Sequence, residues 1–219
     1  LAFDAVEDGV AVPVRSTLVG DYNASNLLAV LGALRALGVP LTDAAAVVPQ
    51  LGPVPGRMEC LQHAGQPLVA VDYAHTPDAL DKALGALRQL ATQRGGRLWC
   101  VFGCGGDRDA TKRPLMAAVA EKHADHVVVT SDNPRGEKPE AIISQVLLGL
   151  SHRDAVHVDA DRAAAIAHAV LGAAPADVVL LAGKGHEDFQ EVAGVKLPFD
   201  DRLQAQQALA RRQAEGARP

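Results

Sequence analysis

Two arginines in this chain stand in loops that have no need of charge for turning. Arg108 closes the run Gly-Cys-Gly-Gly-Asp-Arg at 103–108, and Arg135 ends Ser-Asp-Asn-Pro-Arg at 131–135. A guanidinium presents a planar fork of donors that matches a carboxylate. Asp132, and Glu187 in Gly-Lys-Gly-His-Glu-Asp at 183–188, offer carboxylates to a cation, while Asn133 can donate or accept. Pro134 stiffens its turn, and Gly183 and Gly185 let backbone approach a ligand closely. Two cationic forks and two carboxylates suit a zwitterion, above all an amino acid charged at both ends.

Each stretch also has a plainer reading. An Asp-Asn-Pro after a strand is a common turn, and a neighbouring Arg often does no more than pair with the Asp. The run 102–109, Phe-Gly-Cys-Gly-Gly-Asp-Arg-Asp, imitates a dinucleotide fingerprint until Arg108 falls at the third glycine position, which weakens nicotinamide binding. His186 reads as a structural histidine, and His63, His152 and His168 read as surface or packing residues. The functional reading rests on the coincidence of several loops.

That coincidence depends on the elements that carry the loops. Leu68–Val71, Leu98–Phe102, Val127–Thr130, Val156–Val158 and Val178–Ala182 are short apolar runs with little alternation. Strands buried on both faces of a mostly parallel sheet have this pattern. Helices are expected between them near 77–93, 114–123, 138–150 and 162–173. The first is best signed, with Thr76 as N-cap, Pro77 at the first helical position, and Leu80, Leu84 and Leu87 on one face. The alternation predicts an open, Rossmann-like α/β sheet, whose ligands bind beyond the carboxyl ends of its strands. "DYAHTPD", "GCGGDRD", "SDNPR" and "GKGHED" each follow a predicted strand, so all four fall at that edge. Residues 191–199 read as a closing hairpin and 202–214 as a final surface helix.

Upstream, residues 1–20 alternate loosely around Asp8 and Gly9 and predict two antiparallel strands. Leu27, Leu28, Leu31, Leu34 and Leu37 share a helical face that Gly38 and Pro40 end. Thr42 is placed as the cap of a short alanine-rich helix stopping near Pro49. "LGPVPGR" at 51–57 packs two Pro and two Gly into seven residues. A boundary is therefore expected there, dividing 1–56 from 57–219.

At 219 residues and 48% hydrophobic, the chain can bury a sizeable core. A net charge of -5 and a pI near 5.9 argue against a nucleic-acid partner, and 3% aromatic content argues against a base-stacking platform. Cys60, Cys100 and Cys104 form no Cys-x-x-Cys pair and read as free thiols in a reducing cytosol. No apolar run approaches membrane-spanning length. The chain opens at Leu1, within a strand pattern, and is expected to be a fragment.

"GDYNASN", "GRME", "VDYAHTPDAL", "FGCGGDRD", "KRPLM", "DNPR" and "GKGHEDFQ" follow one another over essentially the whole chain. In these motifs the sequence closely resembles the Mur ligases, the ATP-dependent enzymes that build the peptidoglycan stem peptide. Within that family it is most similar to the MurE type, which adds meso-diaminopimelate to UDP-MurNAc-L-Ala-D-Glu and uses "DNPR" to recognise diaminopimelate rather than lysine. The resemblance implies that Asn133 and Arg135 hold one carboxylate of diaminopimelate and Arg108 the other. It implies that the Gly183 carbonyl and Glu187 take the distal ammonium, with Asp132 and Pro134 completing the motif. On the nucleotide side it implies Asn23, Asn26, Arg57, Asp72, Tyr73 and His75, although Asn23 also fits a helix N-cap. Tyr22 stands where the family commonly has Phe.

A two-step ligation is implied, in which ATP phosphorylates the D-glutamyl γ-carboxylate and the amine of the L-centre attacks the acyl phosphate. No residue of the chain stands out as a catalytic base, so the implied role of the site is positioning. No Gly-x-x-x-x-Gly-Lys-[Ser/Thr] loop occurs. The phosphate loop, the magnesium ligands and the uridine-sugar domain are thus expected upstream of Leu1. Residues 1–56 then correspond to the tail of the central ATP-binding domain, and 57–219 to the amino-acid-binding domain. The implied parent is a cytoplasmic monomer with no nucleic-acid or membrane partner, and the fragment alone is expected to be inactive. A lysine-adding Mur ligase and a folylpolyglutamate-synthase-like domain are the alternatives.

Overall fold

A computed structural model describes residues 1–216, and the last three residues of the expected second domain, 217–219, lie outside the described residues. The chain forms two compact units, Leu1–Val54 and Pro55–Pro219.

In the first unit, β1 (Ala2–Glu7) and β2 (Val10–Arg15) pair antiparallel. Asp8 and Gly9 both take positive φ at the turn, as a tight two-residue hairpin requires. Helices α1 (Tyr22–Ala36) and α2 (Leu41–Val47) cover the hairpin and bury Leu27, Leu31, Ala44 and Ala45 with Ala5 and Val14. Two expectations fail here. Leu28 and Leu37 are exposed, at 48% and 81%: Leu28 lies a further 100° round the helix from Leu27, and Leu37 follows the last helical residue. Thr42 is no cap, because Pro40 holds that position and the Thr42 hydroxyl reaches only Asp43.

The second unit alternates strand and helix in the order β3 (Glu59–Leu61), β4 (Leu68–Asp72), α3 (Pro77–Arg94), β5 (Leu98–Phe102), α4 (Lys112–His123), β6 (His126–Val129), α5 (Pro139–Leu147), β7 (His157–Val158), α6 (Arg162–Gly172) and β8 (Val178–Ala182). A hairpin, β9 (Phe189–Val192) with β10 (Val195–Pro198), and α7 (Asp201–Gly216) follow. The sheet order is β3-β4-β8-β5-β6-β7, parallel except for β3 at the edge, so the expected Rossmann-like α/β architecture is present.

Right-handed crossovers account for the layering. The chain steps one way across the sheet from β4 to β7, then returns to insert β8 between β4 and β5. The return helix α6 therefore lies on the face opposite α3 and α4. Val69, Val71, Trp99, Val101, Val179 and Leu181 meet Ile166, Ala169 and Val170 of α6 and Ala205 and Leu209 of α7. The terminal helix is thus a core element and not the surface helix expected; its apolar stripe is small and mostly alanine. The signed helix α3 forms as expected, with the Thr76 hydroxyl accepting from the Ala79 N–H and Leu80, Leu84 and Leu87 buried.

Register sets the height of the loops. Asp72 and Phe102 both pair with Ala182, and Phe102 pairs with Val129. The four central strands therefore end level, and their following loops leave from one plane.

Candidate ligand-binding site

Those loops enclose a cleft of about 340 Å³, small enough for an amino acid and open at one side. Its wall includes Arg108, Asp132, Asn133, Arg135, Gly183 and Glu187, together with Tyr73 and His75. Six of the seven residues expected on the amino-acid side thus meet in one cavity. Pro134 does not line it; its carbonyl faces Gly106, where a Cβ would sit 1.9 Å from that oxygen. The "GCGG" run is glycine-rich because the loop after β5 packs against the loop after β6.

Charges of both signs line the cleft. Arg108 is exposed, and among the described residues it donates to the neighbouring Asp107 carbonyl. Arg135 donates through Nη1 to the Gly106 carbonyl at 2.9 Å, and its Nε lies 3.7 Å from Glu191 Oε2. Its backbone is left-handed, φ 52°, a conformation costly for a non-glycine residue. Hydrogen bonds from the Arg135 N–H to the Glu191 carbonyl and from the Ala193 N–H to the Arg135 carbonyl hold it there. The hairpin also clamps the motif through Gln190 Nε2, which donates to the Asp132 carbonyl at 2.7 Å.

The lining also has an acidic pole, formed by Asp132 and Glu187. Asp132 is 7% exposed, and no donor among the described residues reaches its carboxylate. Burial pushes its pKa up, against the pull of Arg162 and Lys184. Gly183 has φ 117°, and a Cβ there would lie 2.5 Å from Asp132 Oδ2. Glu187 is less free than the sequence suggests. It accepts from Asn133 Nδ2 at 2.8 Å and from Lys184 Nζ at 3.2 Å. Asn133 is committed too, since its Oδ1 accepts from Lys184 Nζ and from the Glu191 N–H, both at 3.0 Å. Gly185 approaches protein and not an open cavity: a Cβ would meet Tyr73 Cβ at 2.7 Å and the Gly56 carbonyl at 2.8 Å.

The residues expected on the nucleotide side divide. Arg57 lies over the Tyr73 ring, 5.0 Å from its centroid, and the rings of His75 and His186 lie 4.5 and 5.4 Å from that of Tyr73. The His75 ring stands edge-on to Tyr73 at 62° and that of His186 is tilted by 39°, so the cluster makes an aromatic, partly cationic shelf. His186 is exposed there and is not the satisfied internal histidine expected. Asp72 is buried, off the cleft wall, and accepts from the Met58 N–H at 2.8 Å. Burial raises its pKa, opposed by hydrogen bonds from the Met58 and Ala74 amides. Asn23 and Asn26 belong to the first unit, where Asn23 donates to the Val19 carbonyl and accepts from Asn26. The cap position of α1 is Asp21, so Asn23 sits inside the first turn and does not cap it.

Three buried cations escaped sequence reasoning. Lys184 is sealed from solvent between its two partners. Arg162 makes a two-pronged pair with Asp201 at 2.7 and 2.6 Å and donates to the Ser131 and Ala182 carbonyls. Arg113 grips Glu137 at 2.7 Å and the Gly105 carbonyl at 3.1 Å, which holds the Glu137 pKa down at about 2. All three brace the loops from behind. Only Lys184 carried a signal: it continues an unbroken buried strand between two glycines.

Fold and cleft together define a class, a Rossmann-like α/β domain of mostly parallel strands whose charged cleft opens at their carboxyl edge. Residues 56–185 match the family described as Mur ligase, glutamate ligase domain. The chain belongs to the Mur ligase family. It is 60% identical over 212 residues to the UDP-N-acetylmuramoyl-L-alanyl-D-glutamate–2,6-diaminopimelate ligase of Acidovorax sp. (strain JS42), covering 97% of this chain and 42% of that protein. The ligase of the same name from Chromobacterium violaceum is 58% identical over 208 residues, covering 95% and 41%. A solved structure of a ligase so named is 40% identical, with a TM-score of 0.73 over 97% of this chain and 43% of its own. The chain spans about two fifths of the length of these curated relatives.

Proposed function

We propose that this chain is the amino-acid-binding part of an ATP-dependent ligase that adds meso-diaminopimelate to UDP-MurNAc-L-Ala-D-Glu during peptidoglycan synthesis. Residues 1–56 are read as the tail of the central ATP-binding domain, and 57 onward as the C-terminal domain. The observation that carries the proposal is the mixed charge of one cleft, whose lining brings the guanidinium forks of Arg108 and Arg135 together with the carboxylates of Asp132 and Glu187. A ligand with two carboxylates and a distal ammonium complements both poles. Lysine has the ammonium but lacks the second carboxylate, so it would leave a guanidinium without its anion. That polarity, with the names of the relatives, favours diaminopimelate over lysine and over a folate-type substrate.

The shelf of Arg57, Tyr73, His75 and His186 suits a nucleotide, offering ring faces to a base and a guanidinium to phosphate. Bound ATP supplies the phosphoryl group that activates the D-glutamyl γ-carboxylate. Among the described residues no three His, Cys, Asp or Glu side chains cluster as a metal site, and the magnesium ligands are proposed to lie elsewhere in the parent protein. The work of the residues in this chain is to hold the amino acid by its charges, so that its L-centre amine meets the activated carbonyl in one orientation. The parent enzyme is read as a cytoplasmic monomer; among the described residues no helix is long and apolar enough to cross a membrane.

The test is reconstitution. Full-length parent enzyme with ATP, Mg2+ and UDP-MurNAc-L-Ala-D-Glu should release phosphate on addition of meso-diaminopimelate and yield a product heavier by one diaminopimelyl residue. Release with L-lysine alone, or with neither amino acid, would overturn the proposal.

A further inference from the structure

Lys184 holds together two neighbouring side chains of the cleft wall, Asn133 and Glu187. Its Nζ donates to Asn133 Oδ1 and to Glu187 Oε2, and Asn133 Nδ2 donates to that same Glu187 oxygen. The three groups close a triangle, and its lysine corner is cut off from solvent. A fully buried ammonium is costly to desolvate and is retained only where its partners are well placed.

The surrounding charges explain why a cation is needed at this point. Asp132, Glu187 and Asp201 lie here beside two cations, Arg162 and Lys184. Arg162 is committed to Asp201 by two hydrogen bonds. Lys184 alone is then left to offset Asp132 and Glu187, which would otherwise repel each other in a desolvated site. Both hydrogen bonds that Glu187 accepts fall on Oε2, which leaves Oε1 to meet a ligand ammonium.

We propose that Lys184 is a positioning residue for amino-acid selection: by fixing Glu187 and Asn133 together it makes the cleft demand a ligand ammonium in addition to its carboxylates. The proposal rests on the ligase reading. It predicts that losing Lys184 impairs recognition of the distal ammonium before it impairs any other substrate.

The test uses full-length enzyme carrying Lys184→Met, Glu187→Gln, or both, with meso-diaminopimelate and with 2-aminopimelate, which keeps both carboxylates but lacks the distal ammonium. Lys184→Met should raise KM for diaminopimelate at least tenfold while KM for ATP moves less than twofold. The preference for diaminopimelate over 2-aminopimelate should fall by a similar factor. The double variant removes the charged pair together and so avoids a stranded buried carboxylate. It should be no more than about threefold worse than Glu187→Gln alone, because Lys184 acts through Glu187. Additive losses in the double variant, an unchanged preference in Lys184→Met, or equal rises in every KM would each overturn the proposal. Wild-type enzyme that ignores diaminopimelate altogether would instead overturn the ligase reading.

Discussion

Arg162 and Asp201 face each other through two hydrogen bonds of 2.7 and 2.6 Å, with neither side chain exposed. The pair joins the first turns of α6 and α7, and the remaining donors of the guanidinium reach the carbonyls of Ser131 and Ala182. Those carbonyls begin the two loops that carry the acidic pole. A core contact on one side of the sheet therefore fixes the roots of the cleft at its edge.

Removing one partner strands the other charge. Asp201→Asn should destabilise the chain by about 3–5 kcal/mol, the usual cost of breaking a buried pair. The double replacement Arg162→Met with Asp201→Leu should recover most of that loss, since an apolar pair strands no charge. Urea denaturation of the two variants and the parent checks both values; a double variant as unstable as the single would show that the carbonyl contacts of Arg162 matter more than its ion pair.

Gly106 marks the closest approach between the loops after β5 and β6. A Cβ would lie 1.9 Å from the Pro134 carbonyl, so Gly106→Ala must push the loops apart. Overpacking of this kind costs about 1–3 kcal/mol. The displaced segment also carries Arg135, whose Nη1 rests on the Gly106 carbonyl. In the full-length enzyme, KM for the amino acid is expected to rise at least tenfold with that for ATP little changed. Equal changes in both would place the effect on folding alone.

Much of this arrangement was legible in the sequence, for identifiable reasons. Unbroken apolar runs such as Leu98–Phe102 announce strands buried on both faces, and Thr76-Pro77 announces the start of α3. Strand order was not legible, because insertion of β8 between β4 and β5 is a long-range pairing that leaves no local periodicity. The α7 stripe escaped because alanines surrounded by Gln and Arg read as a solvated face. In the site, the sequence located the cleft residues but not what already binds them. Asn133 and Glu187 look free in a string of letters, and only the structure brings Lys184 against both.

Glu137 provides a pH signature. Its pKa lies at about 2 because Arg113 donates two hydrogen bonds to it and the Asp107 N–H a third. A carboxylate held below its ordinary value near 4.5 contributes stability that is present above that value and is lost as pH falls toward 2. The melting temperature should therefore fall between pH 4.5 and 2, and Glu137→Gln should flatten this limb while lowering stability at neutral pH. Parallel curves for the two proteins would remove Arg113–Glu137 from the account of acid sensitivity.

The central claim is that the strand-end cleft reads a second carboxylate through its arginines. The most direct measurement is the ratio of kcat/KM for meso-diaminopimelate to that for L-lysine in the full-length enzyme, wild type against Arg135→Ala. Loss of a charge-assisted carboxylate contact should collapse the ratio by a factor on the order of 100, mainly through diaminopimelate. A ratio unchanged in Arg135→Ala would contradict the account, since selectivity would then reside in residues other than this arginine.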